Sequence, residues 1–367
     1  MNRPKIVAIP ARDEAATLGP CLEALANQRD DRITAAVICL NNTTDDSLGV
    51  INNKAPRLPF PVHIMNVTLP PERACAGVAR RMAMERAAGL AGPDGVLLTT
   101  DADAEVAADW LARTMAAIAQ GGEVVAGQAE IDPVGARRVP AHLHAADAAE
   151  CAYAALLDRL ACLLDPDPAD PWPRHSDHSG ASIGVTAAAY ARAGGMPDVS
   201  LGEDRAFFAA LRRVDARIRH APDVRVIVSA RTEGRAPGGM ADTIKRRMVM
   251  MDPYLDDRLE PAVDAARRAR LRALLRPAWE AGTAPQDLRR DLRLAADEFD
   301  FVLEPRYFGE AWARAETLSP ILVGRRVRVE DLANETAIAV AMLTNGVRNG
   351  AVSAPARPAG TALPAAE

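Results

Sequence analysis

The most constraining stretch of the chain is Gly95-Val96-Leu97-Leu98-Thr99-Thr100-Asp101-Ala102-Asp103, an apolar run that ends in two carboxylates one residue apart. It is short, follows the turn-forming Gly92-Pro93-Asp94-Gly95, and precedes a helix-like pattern over 106–120, so it reads as a buried strand. Side chains alternate along an extended backbone, which puts Asp101 and Asp103 on one side of it. Where a strand of an α/β sheet ends, that side opens into the crevice that binds ligands. Two hard oxygen ligands there suit Mg²⁺ or Mn²⁺, with positions left over for the oxygens of a diphosphate. The plainer alternative is a pair of solvated loop aspartates capping the next helix, and Asp-x-Asp alone does not decide between them.

The rest of the chain supplies the sheet. Residues 5–9 are strand-like and end at Pro10; Ala11-Arg12-Asp13-Glu14 then leads to a helix with Leu18, Cys21, Leu22 and Leu25 at helical spacing. A second strand over 33–40 runs into Asn41-Asn42-Thr43-Thr44-Asp45-Asp46, a third covers 62–66, a helix covers 73–89, and a further strand covers 123–131. This alternation implies a mostly parallel central sheet flanked by helices, with polar loops gathered at the carboxyl ends of the strands. No Gly-x-Gly-x-x-Gly follows the first strand and no Gly-Lys-Ser/Thr loop occurs, which disfavours the Rossmann and Walker readings.

Residues 140–164 read as a helix and 165–178 as a Pro-rich irregular loop; such loops tend to be functional, and this one carries Trp172, His175 and His178. A short strand over 180–186 and a short helix over 187–193 follow. Gly202-Glu203-Asp204 opens a helix over 205–213 with two acids at its positive end, where simple capping is the competing explanation. A last strand over 223–229 leads to the loop 230–239, which holds Arg231 and Arg235. Helix follows helix over 242–349, and the Pro/Ala-rich residues 351–367 read as a disordered tail.

At 367 residues, 49% hydrophobic and 25% charged, the chain can fill a sizeable core. A net charge of −5 gives no basic field for nucleic acid or an anionic membrane. No apolar run approaches the roughly 20 residues of a membrane span, and the start lacks a signal-peptide core. Five cysteines without paired-ligand spacing fit a reduced compartment, so the expectation is a cytoplasmic protein.

Taken together, these motifs resemble the family-2 glycosyltransferases, which have the GT-A fold, over about residues 3–240. Ile9-Pro10-Ala11-Arg12-Asp13-Glu14 looks like that family's nucleotide-binding opening, and 41–46 stands where the family carries an Asp-containing turn that touches the base. Gly77-Val78-Ala79-Arg80-Arg81 is similar to its Gly-x-Ala-Arg-Asn helix, and Asp101-Ala102-Asp103 to its metal-binding Asp-x-Asp. Gly180-Ala181-Ser182, Gly194-Gly195-Met196-Pro197 and Gly202-Glu203-Asp204 match the acceptor-side Gly-Ala-Asn, Gly-Gly-Phe and Glu-Asp elements.

The resemblance implies a nucleotide-diphosphate sugar donor contacted by Pro10, Arg12, Glu14, Asn41, Asn42, Arg80 and Asp101, with the cation on Asp101 and Asp103. It implies Asp204 as general base supported by Glu203, a single inverting displacement, and a small-molecule or glycan acceptor near Gly180, Ala181, Ser182, Trp172 and His178. Arg231 and Arg235 either close over the diphosphate, whose geometry suits guanidinium, or belong to a solvated loop. His175, His178 and His220 are candidates for a third metal ligand. Leu40 or Asn41 stands where many relatives read the base with Asp, and Arg81 replaces the usual Asn. The Gln-x-x-Arg-Trp element of processive synthases is absent, which favours transfer of a single sugar.

The expected organisation is a GT-A domain over 1–240, a helical region over 241–350 that either covers the acceptor or makes a homodimer contact, and the tail 351–367. Two competing functions are a sugar-phosphate nucleotidyltransferase and a non-catalytic nucleotide-sugar-binding module. The first normally opens with a Gly-rich loop where this chain has Pro-Ala-Arg-Asp-Glu; the second leaves Asp101/Asp103 and Glu203/Asp204 without a purpose.

Overall fold

The computed structural model describes residues 3–231, 240–250 and 252–348; Arg235 and the tail 351–367 lie outside the described residues. In chain order the elements are β1 Lys5–Ala11, α1 Leu18–Ala26, β2 Ala35–Asn41, α2 Ser47–Lys54, β3 Val62–Val67, α3 Ala76–Ala91, β4 Val96–Thr99, β5 Ala104–Val106 and α4 Trp110–Ala119. Then come β6 Val124–Ile131, α5 Pro133–Ala136, α6 Ala141–Leu164, β7 Ile183–Thr186, α7 Ala187–Arg192, α8 Glu203–Arg213 and β8 Ile218–Val228. The helices α9 Met240–Val249, α10 Ala262–Ala281, α11 Gln286–Asp291, α12 Ala296–Leu303, α13 Phe308–Leu318 and α14 Leu332–Arg348 complete the described chain.

Among the described residues the strands form one sheet in the order β3-β2-β1-β4-β7-β6-β8-β5. The β1 strand pairs in parallel with β2 and β4, as do β2 with β3 and β6 with β8, while β7 runs antiparallel between β4 and β6. This is the expected α/β architecture, a mostly parallel sheet with helices on both faces. The apolar character of the strands follows from that layering, because a central strand is covered twice. Val7 and Ile9 of β1 pack in one cluster with Leu18 and Leu22, whereas Ile6 and Ala8 pack on the other face with Ala83 and Phe207. Strand order reverses between β1 and β4, since β2 and β3 lie to one side of β1 and β4 to the other. The carboxyl ends of β1 and β4 therefore flank a topological switch point, where α/β sheets open a ligand crevice.

Two local expectations give way. Asp101 and Asp103 do not continue an extended strand: β4 stops at Thr99 and the chain turns, with Ala104 N–H donating to the Asp101 carbonyl at 3.2 Å. The helix expected from 106 starts at Trp110, because Ala104–Val106 pair antiparallel with Val226–Val228 of β8 as a short edge strand.

The C-terminal helices build two apolar clusters of their own. One joins α10, α11, α12 and α13 through Leu275, Leu288, Phe299 and Phe308. The other includes Tyr153 and Leu160 of α6 together with Leu255, Leu259, Ala262 and Ala339. No helix among the described residues is long and apolar enough to cross a membrane.

Candidate active site

A cavity of about 1980 Å³ opens at the switch point, walled by the ends of β1 and β4, the loop 165–180, the start of α8, and side chains of α10 and α13. That is about twice the upper end of pockets that hold a drug-sized ligand, so it has room for two substrates. Of the residues singled out in the sequence, Pro10, Arg12, Glu14, Asn41, Arg80, Asp101 and Asp103 line it from the sheet side. His178, Gly180, Glu203 and Asp204 line it from the other side, and Arg231 lies with Glu14 and Asp103 at the sheet end.

Arg80, on the inward face of α3, holds the two halves together. Its side chain is almost fully buried, and four N–H bonds are spent on the protein itself. Nη2 donates to Asp101 Oδ1 at 2.6 Å, Nε to Glu203 Oε1 at 3.1 Å, and Nη1 to both Thr99 Oγ1 and the Gly180 carbonyl at 2.8 Å. Desolvation opposes its charge, but Asp101 and Glu203 outweigh that and raise its pKa. Gly180 is glycine for a steric reason: a Cβ there would come within 2.6 Å of the Arg80 guanidinium. Arg80 thus positions Asp101 and Glu203 while also lining the cavity.

At the sheet end, two carboxylates share one cation. Arg231 contacts Glu14 through both terminal nitrogens, at 2.9 and 2.8 Å, and reaches Asp103 Oδ2 at 3.2 Å. Burial, and then the charge of Asp101, push the Asp103 carboxyl up to about 6. A site that strains to keep its carboxylates ionised has excess negative charge, and its donors are all hard oxygens. That chemistry fits a divalent ion such as Mg²⁺, which binds through one or two carboxylates plus substrate phosphates. Among the described residues no group of three or more His, Cys, Asp or Glu side chains could hold a metal by itself. The expectation of a histidine as third ligand therefore finds no support in the geometry.

At the other end, Gly202 supplies the left-handed turn (φ +69°) that starts α8. Asp204 Oδ1 accepts from Arg205 N–H at 2.7 Å and Oδ2 from Gly180 N–H at 3.3 Å, so the carboxylate is held by backbone at both oxygens. Burial and the neighbouring Glu203 raise its pKa above the usual carboxylate range.

Four expected contacts do not reach the cavity. Asn42 turns at φ +53° into the loop after β3, exchanging hydrogen bonds with Leu69 at 2.9 Å. Ser182 is buried and accepts from Trp110 Nε1 at 2.8 Å, and Ala181 is buried beside it, so both serve the core. Trp172 is 44% exposed on the outer surface under Arg159. Asn41 stays, with Nδ2 fixed on the Cys75 carbonyl at 3.1 Å and its buried Oδ1 without a hydrogen-bond partner.

The three histidines gather with one another instead. His178 stacks on Phe208 with ring centroids 4.2 Å apart, and its Nε2 lies 3.3 Å from His220 Nε2 and 3.0 Å from Arg212 Nη2. His220 Nδ1 sits 2.7 Å from Asp170 Oδ2, and His175 packs edge-on against His220. Burial, and then Arg212, push His178 down to about 2, and burial pushes His175 down to about 4. Unfolded histidine takes up a proton near 6.5, so the unfolded chain binds more protons below that pH and stability falls as pH falls. Each of the two residues should cost about 1–2 kcal/mol at pH 5 relative to pH 7.5. Urea midpoints measured across that range should drop, and the drop should shrink in His178→Asn; an unchanged pH slope in the variant would remove His178 from this account.

Arg212, Arg272 and Arg276 also line the cavity and were not singled out by the sequence. Arginines spread among acids read as solvated faces, and no local pattern marks them.

The model of the family described as Glycosyl transferase family 2 matches residues 6–161. No curated protein matches the chain. Among solved structures, S. aureus TarS 1-349 in complex with UDP-GlcNAc is similar at 15% identity over 95% of this chain and 92% of that one, with a TM-score of 0.46. Mannosyltransferase PcManGT from Pyrobaculum calidifontis in complex with GDP-Man and Mn²⁺ is similar at 16% identity over 96% of this chain and 81% of that one, with a TM-score of 0.43.

Proposed function

We propose, from the match of residues 6–161 to the glycosyl transferase family 2 model, that the chain transfers a single sugar from a nucleotide-diphosphate sugar to an acceptor hydroxyl, with inversion. The observation that carries the reading is the Arg80 guanidinium, which bonds Asp101 at 2.6 Å and Glu203 at 3.1 Å and so ties a carboxylate pair for the donor to the helix start that holds Asp204. Asp101 and Asp103 are the residues to hold the cation. A divalent ion bound there would offset the charge that develops on the departing diphosphate.

Asp204 is the general base. Two backbone N–H groups orient it, and its raised affinity for a proton improves it as an acceptor. The acceptor oxygen bonds to the anomeric carbon as that carbon's bond to the diphosphate oxygen breaks, and the hydroxyl proton passes to Asp204. One displacement with no enzyme nucleophile inverts the centre. Arg231, released from Glu14 and Asp103, is placed to meet the diphosphate. The helices α10 and α13 serve as the acceptor cover, since Arg272, Arg276 and Phe308 wall the cavity opposite the sheet.

Asn41 Oδ1, a buried acceptor without a partner, suits a base with a protonated ring nitrogen. In a thermal-shift panel of UDP, GDP, CDP, ADP and dTDP with and without Mn²⁺, one of UDP, GDP or dTDP should stabilise the protein, and only with metal. A ligand at a hundredfold excess over its dissociation constant contributes about 2.7 kcal/mol. Asp103→Asn should abolish that shift. Silence across the panel would sink the transferase reading, and a shift that survives in Asp103→Asn would remove the cation from this site.

A further inference from the structure

Where the last turn of α8 faces side chains of α10 and α13, three guanidinium groups line the cavity with too little negative charge among them. Arg212 lies in the last turn of α8, and its side chain's one hydrogen-bond partner among the described residues is Nε2 of His178, an imidazole kept neutral by burial. Arg276 lies 4.1 Å over the ring of Phe308 and has no carboxylate within 4.0 Å among the described residues. Arg272 lies 5.4 Å over the same ring and pairs with Asp165. Crowding by protein, and then the charge of Arg272, lower the pKa of Arg212. Glu316, whose charge also reaches Arg212, is committed to Arg268 at 2.8 Å.

Three positive charges against one pairing carboxylate leave about two uncompensated. A neutral ring and a neutral imidazole hold the guanidinium planes in position without neutralising them. Uncompensated charge walled by protein is costly, and planar N–H forks match tetrahedral oxyanions. A phosphate monoester, at −1.5 to −2 near neutral pH, balances the excess where a single carboxylate does not.

We propose that Arg212, Arg272 and Arg276 form a phosphate subsite, and that the acceptor is a small phosphomonoester. Resting on the transferase reading, the subsite also fixes a spacing. Asp204 and Arg212 are eight residues apart on one helix, about 12 Å along its axis. The attacked hydroxyl and the phosphate therefore sit at different positions of the acceptor, one toward each end of the helix.

The test is inorganic phosphate titrated into metal-free protein and followed by calorimetry, with Arg212→Gln, Arg276→Gln and Asp103→Asn alongside. Wild type and Asp103→Asn should bind phosphate alike, and each arginine variant should weaken it by about tenfold or more. Unaltered binding in both arginine variants, or loss confined to Asp103→Asn, overturns the subsite. Malonate binding as tightly as phosphate overturns the phosphomonoester in favour of a carboxylate acceptor. Should Arg212→Gln lose its unliganded melting transition, Arg276→Gln carries the test alone. Failure of the nucleotide panel would count against sugar transfer and leave phosphate binding to be judged on its own curve.

Discussion

Arg80→Met is expected to destabilise the protein by about 3–5 kcal/mol and to abolish transfer together with metal-dependent nucleotide binding. The size follows from what the guanidinium leaves behind. It is nearly fully buried, and it donates to Asp101, Glu203, Thr99 and the Gly180 carbonyl. Methionine fills much of the volume but strands Glu203 in a low-dielectric setting and leaves a carbonyl and a hydroxyl without their donor. Arg80→Lys should recover little, because one ammonium cannot reach four acceptors that a planar fork meets from three sides. Urea unfolding of the three proteins reads the effect. A loss below about 1 kcal/mol in Arg80→Met would mean that Asp101 and Glu203 are held in place by something else.

Asp204→Asn should lower turnover by about 10²–10⁴, the range a positioned base supplies, while leaving the metal-dependent thermal shift with the donor diphosphate unchanged. The amide keeps the shape and still accepts from one of the two backbone N–H groups, so folding is not the variable. Glu203→Gln serves as the contrast. It weakens the ion pair with Arg80 but removes no proton acceptor from the acceptor hydroxyl, so its loss should appear chiefly in stability. If Asp204→Asn turns over at the wild-type rate, the base is elsewhere, and the cavity then offers Asp158, whose carboxyl burial raises to about 6, as the residue to examine.

The sheet was legible because its strands are covered on both faces. Runs such as Ile6–Ile9 and Val96–Leu98 have to be apolar throughout, and an apolar run bounded by turn residues is visible without any partner. The carboxylates were legible because each sits in a short motif at an element boundary. What failed is what depends on direction. Gly180 faces the cavity while Ser182, two residues on, bonds Trp110 inside the core, and Asn41 and Asn42 part company because the second adopts positive φ. No spacing rule covers a turn. Long-range partners were equally hidden: Arg80 meets Gly180 across 100 residues, and Arg212 acquires its neighbours only when α13, with α10 packed on it, folds back onto α8.

The helix α6 spans Ala141–Leu164, and the family match stops at residue 161, inside its last turn. The same helix lends Tyr153, Ala154 and Leu160 to a core whose other buried members come from residues 255 to 339. The stretch of sequence likeness therefore ends inside a physical unit. The helical half is not a bead threaded onto a finished domain: cut away, it would leave a wetted apolar face on the half that carries the chemistry. Each half inherits part of its solubility from the other, so the two are bound to be passed on, lost or exchanged as one piece.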